Sequence, residues 1–424
     1  MYTALRLTSY KHLSSSAGIT TMPAVNRLTL SLDQHADALL RPCVKVGDTV
    51  AFGQVIALPD VTLSAALHAP VSGLVQSIND HAIIIQNDHL DTVDASTKPY
   101  LDWHEDSAME LITHLARGGI AGLGGAVYST SAKLAAHRHH PIETLIINGM
   151  ECEPFITCDD ALMRVHAGSI LQGVQILLRA CGAPRALIAI EDDKPLAIAA
   201  IRNAIISLGD QRLELRSLPA AYPHGDEGQL IRLLLEKEIP RGHLPAKIGV
   251  VVHNVATAYA CARWILEGMP LVSRVVSISG HGVREPKNLS VRIGTPCVDI
   301  IDTCGGYQGE VKALIMGGAM MGHALQSDTE VITKATNCLI AATLQDIAAS
   351  YDEQPCIRCG ECVHACPAGL LPQQLLMYVR NQATHAAIEL GLQDCIECGS
   401  CDAICPSHIP LASRFRAAKL QLQR

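Results

Sequence analysis

Aromatic side chains are scarce in this sequence: three Phe, two Trp and nine Tyr among 424 residues. A core with so few rings has to be filled by Ala, Leu, Ile and Val, the usual filling of sheets layered with helices. A basic excess is also missing. Thirty-three Lys and Arg stand against 41 Asp and Glu, a formal charge of −8. This excludes a protein that binds phosphate backbones, which need a positive face, so no nucleic-acid partner is expected. No apolar run approaches the roughly 18–20 residues that span a bilayer. The longest runs, 248–252 and 313–321, have strand length. Residues 1–16 are mixed and polar, so no secretory leader is expected. Membrane association is therefore expected to be peripheral, through a partner.

Cysteine is plentiful, at sixteen. Cys43, Cys152, Cys158, Cys181, Cys261, Cys297, Cys304 and Cys338 are scattered and read as small core residues in a reducing, cytoplasmic compartment. The other eight form two identical runs. Cys356, Cys359, Cys362 and Cys366 precede Pro367; Cys395, Cys398, Cys401 and Cys405 precede Pro406. Both read Cys-x2-Cys-x2-Cys-x3-Cys-Pro, the spacing of a ferredoxin with two clusters. Three close thiolates take corners of one [4Fe–4S] cube, and the fourth reaches across to the other. Cys356, Cys359, Cys362 and Cys405 are thus expected to hold one cluster, and Cys395, Cys398, Cys401 and Cys366 the second. That exchange keeps the cubes close, as electron hopping requires. A zinc site would take its four ligands in pairs.

The length suggests two to four domains, and the pattern divides into four regions. Residues 1–100 show alternating apolar residues broken by Gly turns, in particular 44–57 and 68–78. They read as β-hairpins of a barrel-sandwich like those of lipoyl and biotinyl carriers. The stretch 58–67 has no Lys, so a structural module is expected rather than a swinging arm. Residues 101–265 alternate amphipathic helices with short apolar strands at 145–148, 186–190 and 248–253, the pattern of a doubly wound α/β domain. Residues 266–330 read as a smaller β-rich unit. Residues 331–424 read as a helical domain carrying the two cysteine runs.

Residues 117–133 contain five glycines in eight positions, then Lys133. This is neither a P-loop nor a dinucleotide fingerprint. Such backbone can nonetheless approach a phosphate closely, with the lysine adding charge; the alternative is a flexible capping loop. Asn148-Gly-Met-Glu-Cys-Glu-Pro follows a predicted strand, where open α/β sheets bind ligands. Asn148 can donate and accept, and Glu151 and Glu153 can accept from ribose or ribityl hydroxyls. The segments 222–228 and 253–257 are similarly placed. His137, His139 and His140 beside Arg138 read as a basic surface stretch, Tyr259 and Trp264 as packing, and 317–322 as a tight strand–turn without an assigned role.

Together these segments carry a resemblance. With residues 147–160, 291–296, Cys304-Gly-Gly and both cysteine runs, the chain resembles the C subunit of the Rnf electron-transport complex nearly end to end. More distantly it is similar to the NADH- and FMN-binding subunit of respiratory complex I. The resemblance implies FMN and NAD(H) sites in the α/β domain, a β-grasp domain after it, and a dicluster ferredoxin. Gly122, Gly124, Gly125 and Lys133 would hold the FMN phosphate. Asn148, Glu151, Gly225, Asp226, Asn254 and Thr257 would complete the flavin pocket, and Glu153 and Glu227 would face the nicotinamide nucleotide. Cofactors would carry the chemistry, so no catalytic acid or base is named.

The implied activity is that of an NADH:ferredoxin-type oxidoreductase subunit. It would sit on the cytoplasmic face of a membrane complex whose other subunits couple electron transfer to ion movement, with ferredoxin or flavodoxin as indirect partners. The alternatives are a soluble flavin and iron–sulfur reductase of a corrinoid cofactor, and an electron-relay docking subunit with a degenerate nucleotide site. Three departures stand out: Val127-Tyr-Ser where relatives read Gly-Phe-Pro; Met150 where the complex I pattern has Asp; and, at the ends, Ala17-Gly-Ile-Thr-Thr where many relatives read Gly-Gly-Ile-His-Pro-Pro, with no Ala/Lys-rich tail before Arg424, a tail that is expected to be dispensable for the chemistry.

Overall fold

The fold is described from a computed structural model, which describes residues 3–125, 127–135, 140–347 and 352–422. His137, Arg138 and His139 lie outside the described residues.

The barrel-sandwich is built from a four-stranded and a three-stranded antiparallel sheet between Arg27 and Asn87. Alternation fixes which face is inside: Leu28, Leu30, Ile83 and Ile85 are fully buried, while their strand neighbours face outward or pack only partly. The turn between strands Val55–Pro59 and Leu67–His68 carries no lysine.

Four parallel strands form the α/β sheet, in the order Leu213–Leu218, Ala186–Glu191, Thr144–Gly149, Val250–Asn254. Numbered along the chain this order is 3-2-1-4, the doubly wound arrangement. Its switch point lies between Thr144–Gly149 and Val250–Asn254, where strand C-termini leave a ligand crevice. Ala186–Glu191 is buried along its whole length. The edge strand Leu213–Leu218 carries Glu214 and Arg216, and that polarity hides it from a reading based on apolar runs.

Helix Cys158–Cys181, 24 residues long, packs against Pro195–Leu208 and Val255–Glu267. Among the described residues it alone is long and apolar enough to cross a membrane. The sequence pattern shows no such span because Asp159, Asp160, Arg164 and Arg179 interrupt its apolar runs. Residues such as Ile170, Leu171, Val174 and Leu177 build the domain core.

A six-stranded mixed sheet follows, in the order Ile19–Thr21, Lys287–Arg292, Ser273–Ser279, Cys338–Ala342, Ala313–Met316, His323–Ala324. It runs to Ala342, past residue 330 where the sequence pattern ends this unit. Its first strand comes from the N-terminal segment. Residues 3–21 are in fact threaded among the other domains. Thr3 donates to His364 O (2.7 Å), Leu5 and Tyr222 exchange backbone bonds (2.8 and 2.9 Å), and Phe155 donates to Ser9 O (2.9 Å). The Tyr10 ring stacks on Phe155 with centroids 4.6 Å apart. Among the described residues the C-terminal unit has five α-helices and one 3-10 helix around Leu370, Leu375, Leu376, Leu392, Ile409 and Phe415.

Candidate cofactor sites

The eight motif cysteines gather around two voids. Cys356, Cys359, Cys362 and Cys405 line one void; Cys366, Cys395, Cys398 and Cys401 line the other. The two runs also share a backbone form. Arg358 and Gly360 take left-handed φ of 58° and 84°, and Glu397 and Gly399 take 57° and 74°. These turns aim successive thiols at one point. Among the described residues no three His, Cys, Asp or Glu close on a single metal ion, whereas four sulfurs around a void fit a cube. The voids differ in setting. Cys356 and Cys359 are exposed, while Cys366, Cys398 and Cys401 are buried.

At the switch point of the α/β sheet opens a cleft of about 1040 Å³. That lies at the upper end of ligand pockets, about 300–1,000 Å³. Gly122, Gly124, Gly125, Lys133, Asn148, Glu151, Glu153, Gly225, Asp226, Glu227 and Asn254 all line it. Thr257 does not. It is fully buried, and its hydroxyl accepts from Leu123 N at 3.0 Å, so it supports the glycine loop from behind.

Several of these side chains shape the walls. Asn148 donates through Nδ2 to Gly225 O (2.9 Å) and accepts through Oδ1 from Met150 N (2.9 Å). Asp226 caps helix Glu227–Leu235, accepting from Gln229 N at 3.0 Å. Asn254 caps Val255–Glu267 by accepting from Ala256 N (2.8 Å), and its amide donates to Asp159 Oδ2 (2.7 Å). Such caps satisfy helix-terminal amides. Lys133 and Glu227, assigned by resemblance to different ligands, pair with each other. Glu153 accepts from Met320 N at 2.8 Å, and burial raises its pKa.

Other acceptors in the cleft have no hydrogen-bond partner. Glu151 uses Oε1 to accept from Asp159 N (2.8 Å), but its buried Oε2 makes no hydrogen bond and lies 3.7 Å from the Lys11 ammonium. His253 Nε2 is buried in the same condition, and desolvation pulls its pKa well down. Buried polar atoms are ordinarily paired, so these two fit a ligand that brings N–H or O–H groups. The glycine loop and the Lys133 amine fit its phosphate. A flavin mononucleotide has both kinds of group.

Three features of the cleft go beyond the sequence pattern. Asp159 lines the cleft, and burial together with the Glu151 charge pushes its pKa up to about 7. The 317–322 turn, left without a role, lines it too; a Cβ on Gly318 would fall 1.9 Å from Glu153 Oε2. Met150, flagged as a lost contact, packs with Ile146, Leu230, Ile231 and Val252 under the site. The sequence marks these segments but not their meeting at the cleft, which the fold brings about.

The cleft adjoins the second void. Cys398 and Ile396 are part of its wall. Tyr222 donates its hydroxyl to Cys398 O (2.5 Å), and Gln229 Nε2 donates to Pro367 O (3.0 Å). Both donors are buried.

A Rossmann-like crevice walled partly by a cysteine of the second run defines the class: a flavin and iron–sulfur electron-transfer protein. Comparisons agree domain by domain. Residues 3–95 match the RnfC barrel sandwich hybrid domain, 115–263 the Nuo51 FMN-binding domain, 275–324 the SLBB domain, and 355–409 the 4Fe-4S dicluster domain. The C subunit of the ion-translocating oxidoreductase complex of Rhodobacter capsulatus is 41% identical over 98% of this chain and 81% of its own length. That of Pseudomonas aeruginosa is 41% identical over 99% of this chain, which spans 55% of its length. An NAD+-reducing [NiFe]-hydrogenase, air-oxidised, shares the fold at 18% identity with a TM-score of 0.53, over 77% of this chain and 63% of its own. The chain belongs to the RnfC family, the C subunits of ion-translocating oxidoreductase complexes.

Proposed function

We propose that this chain is the peripheral subunit through which a membrane ion-translocating complex exchanges electrons with NAD(H). The single observation that carries this is the shared wall: Cys398 belongs to the second cysteine set and to the cleft. FMN bound in the cleft would supply the exchange between a hydride donor, which gives two electrons at once, and one-electron iron–sulfur centres.

The residues have distinct tasks. Gly122, Gly124, Gly125 and Lys133 hold a phosphate. Glu151 and Asn148 set the ring edge, with Asn148 fixing the 225 loop. Glu153 and Glu227 flank the room left for a nicotinamide nucleotide. Lys133, paired with Glu227 here, would turn to a bound phosphate and so free that carboxylate for ribose hydroxyls. Met150, Ile156 and Val252 keep the interior apolar. Tyr222 and Gln229 tie the cluster-bearing loops to the cleft. The Cys366, Cys395, Cys398, Cys401 set is then the inner relay. The Cys356, Cys359, Cys362, Cys405 set, with Ile357 66% exposed beside it, is the outer one and hands electrons to membrane partners at the cytoplasmic face.

Anaerobically prepared protein is expected to hold about eight irons per chain, two cubes, with one FMN, and its flavin colour is expected to bleach on addition of NADH. Full iron with no flavin, and no bleaching after FMN is added, would leave a passive electron wire.

A further inference from the structure

Lys334 is the most deeply buried cation of the described residues, with no exposed surface. Its chain neighbours Thr333 and Ala335 line the cleft, while Lys334 points the other way, into the junction of three domains. Its ammonium donates to Gly119 O (2.8 Å), Ala66 O (3.0 Å) and His35 Nε2 (3.0 Å). Three acceptors match the three N–H donors of a charged lysine. Gly119 begins the glycine loop, in a left-handed conformation (φ 69°), and a Cβ there would meet Ala66 O at 2.5 Å. The loop root is thus pressed against the barrel-sandwich, with Lys334 between them.

Arg274 continues the arrangement. It is buried, donates to Lys334 O, and donates through Nη2 to Leu123 O at 3.2 Å. In a planar trans peptide the C=O and the next N–H point in opposite directions. Holding the Leu123 carbonyl toward Arg274 therefore turns the Gly124 N–H away from it, and Gly124 lines the cleft. Arg274 also places positive charge behind the loop, where the low dielectric screens it little; burial pulls the Lys334 pKa down to about 7, so Lys334 adds to that charge only in its protonated form.

We propose that Lys334 and Arg274 form a buried clamp that sets the glycine loop in its phosphate-binding conformation, making both of them positioning residues for the flavin phosphate. This rests on the reading of the cleft as an FMN site. Neither residue touches the cleft, and neither belongs to a motif that the sequence marks.

The phosphate gives a specific test. Flavin-depleted full-length protein, prepared anaerobically with its iron, is titrated with FMN and with riboflavin, which lacks the phosphate, by fluorescence quenching. Wild type is expected to prefer FMN. Lys334→Met and Arg274→Gln are expected to lower the FMN-to-riboflavin affinity ratio about tenfold, as befits loss of a charge-assisted hydrogen bond. Arg274→Lys, which keeps the charge, is expected to recover part of it. A general loosening of the fold weakens both flavins alike and leaves the ratio in place, which overturns the clamp, as does an unchanged ratio in all variants. If Lys334→Met does not fold, the two Arg274 variants decide. Wild type that binds neither flavin overturns the reading of the cleft itself.

Discussion

The two kinds of redox site in this chain are made by opposite means. The cluster voids are built from side chains: eight sulfurs on short helices and turns, within 50 consecutive positions from Cys356 to Cys405. The cleft is built largely from backbone and caps, contributed by segments from Thr29 to Cys398. Cysteine ligation tolerates a small scaffold because metal–thiolate bonds supply the folding energy. A nucleotide cleft has no such bond and depends on four domains holding their places. The cages are therefore local and robust, while the cleft is distributed and sensitive to distant changes.

Breaking the two sides separately should show this. The largest effect is expected from Cys401→Ser, which removes a ligand of the inner cube. Iron should fall from about eight to about four per chain, while FMN stays bound and still bleaches with NADH. Loss of both cofactors together would mean that the cage supports the cleft more than the geometry suggests.

Next comes Gly225→Val, the converse. A Cβ there lies 3.0 Å from Met150 O and 3.1 Å from Cys152 Sγ, so a branched side chain must displace the cleft wall. Overpacking of this kind costs about 1–3 kcal/mol, and FMN content should drop roughly tenfold with iron unchanged.

Tyr222→Phe probes the seam. It leaves the Cys398 carbonyl without its buried donor, a loss of about 1–3 kcal/mol. Lower stability in denaturant is expected, together with slower cluster reduction by NADH at normal cofactor content.

A pH series sharpens the cleft side. Asp159 has a folded pKa near 7, raised from 3.8. Because the folded value lies above the unfolded one, the fold favours the protonated acid. Its contribution to stability is full below pH ~4 and is lost as pH rises through ~7. Asp159→Asn, fixed in the neutral form, should gain thermal stability relative to wild type between those limits. A difference in melting temperature that stays flat across the range would contradict the assigned shift. The smallest effect is expected from Arg241→Ala, which removes an ion pair with Asp394 (3.3 Å) at the exposed rim of the same seam. Exposed pairs contribute about 0–1 kcal/mol, so stability should hardly move.

The same contrast explains how far the sequence could be read. The grouping of the cysteines around two voids, with Cys366 and Cys405 exchanged, was legible in the spacing because the runs are continuous. The three core strands of the α/β sheet were visible as apolar runs, and the crevice followed from their ends. The edge strand Leu213–Leu218 was hidden by its alternating charges. Strand Cys338–Ala342 fell beyond the assigned boundary because it joins its sheet from the far side of a long connection. The roles of Asp159, Gly318 and Lys334 could not be read from the sequence for a common reason. Each acts through a partner that the fold brings to it, Asn254 for Asp159, Glu153 for Gly318 and Gly119 for Lys334, and neither composition nor period records such meetings. Lys133 and Glu227 show the reverse: each was named, but their pairing needed coordinates.

The thread formed by residues 3–11 has a mechanical implication. Thr3 binds the segment of the first cysteine run, Leu5 the Tyr222 loop, and Lys11 the carbonyls of Glu151 and Ile156 (2.9 Å to the latter). One short stretch of backbone thus ties the floor beneath Glu151, the Tyr222 loop and the first cysteine run together, so a displacement of the iron-binding end is carried to the floor of the cleft without passing through the cleft wall.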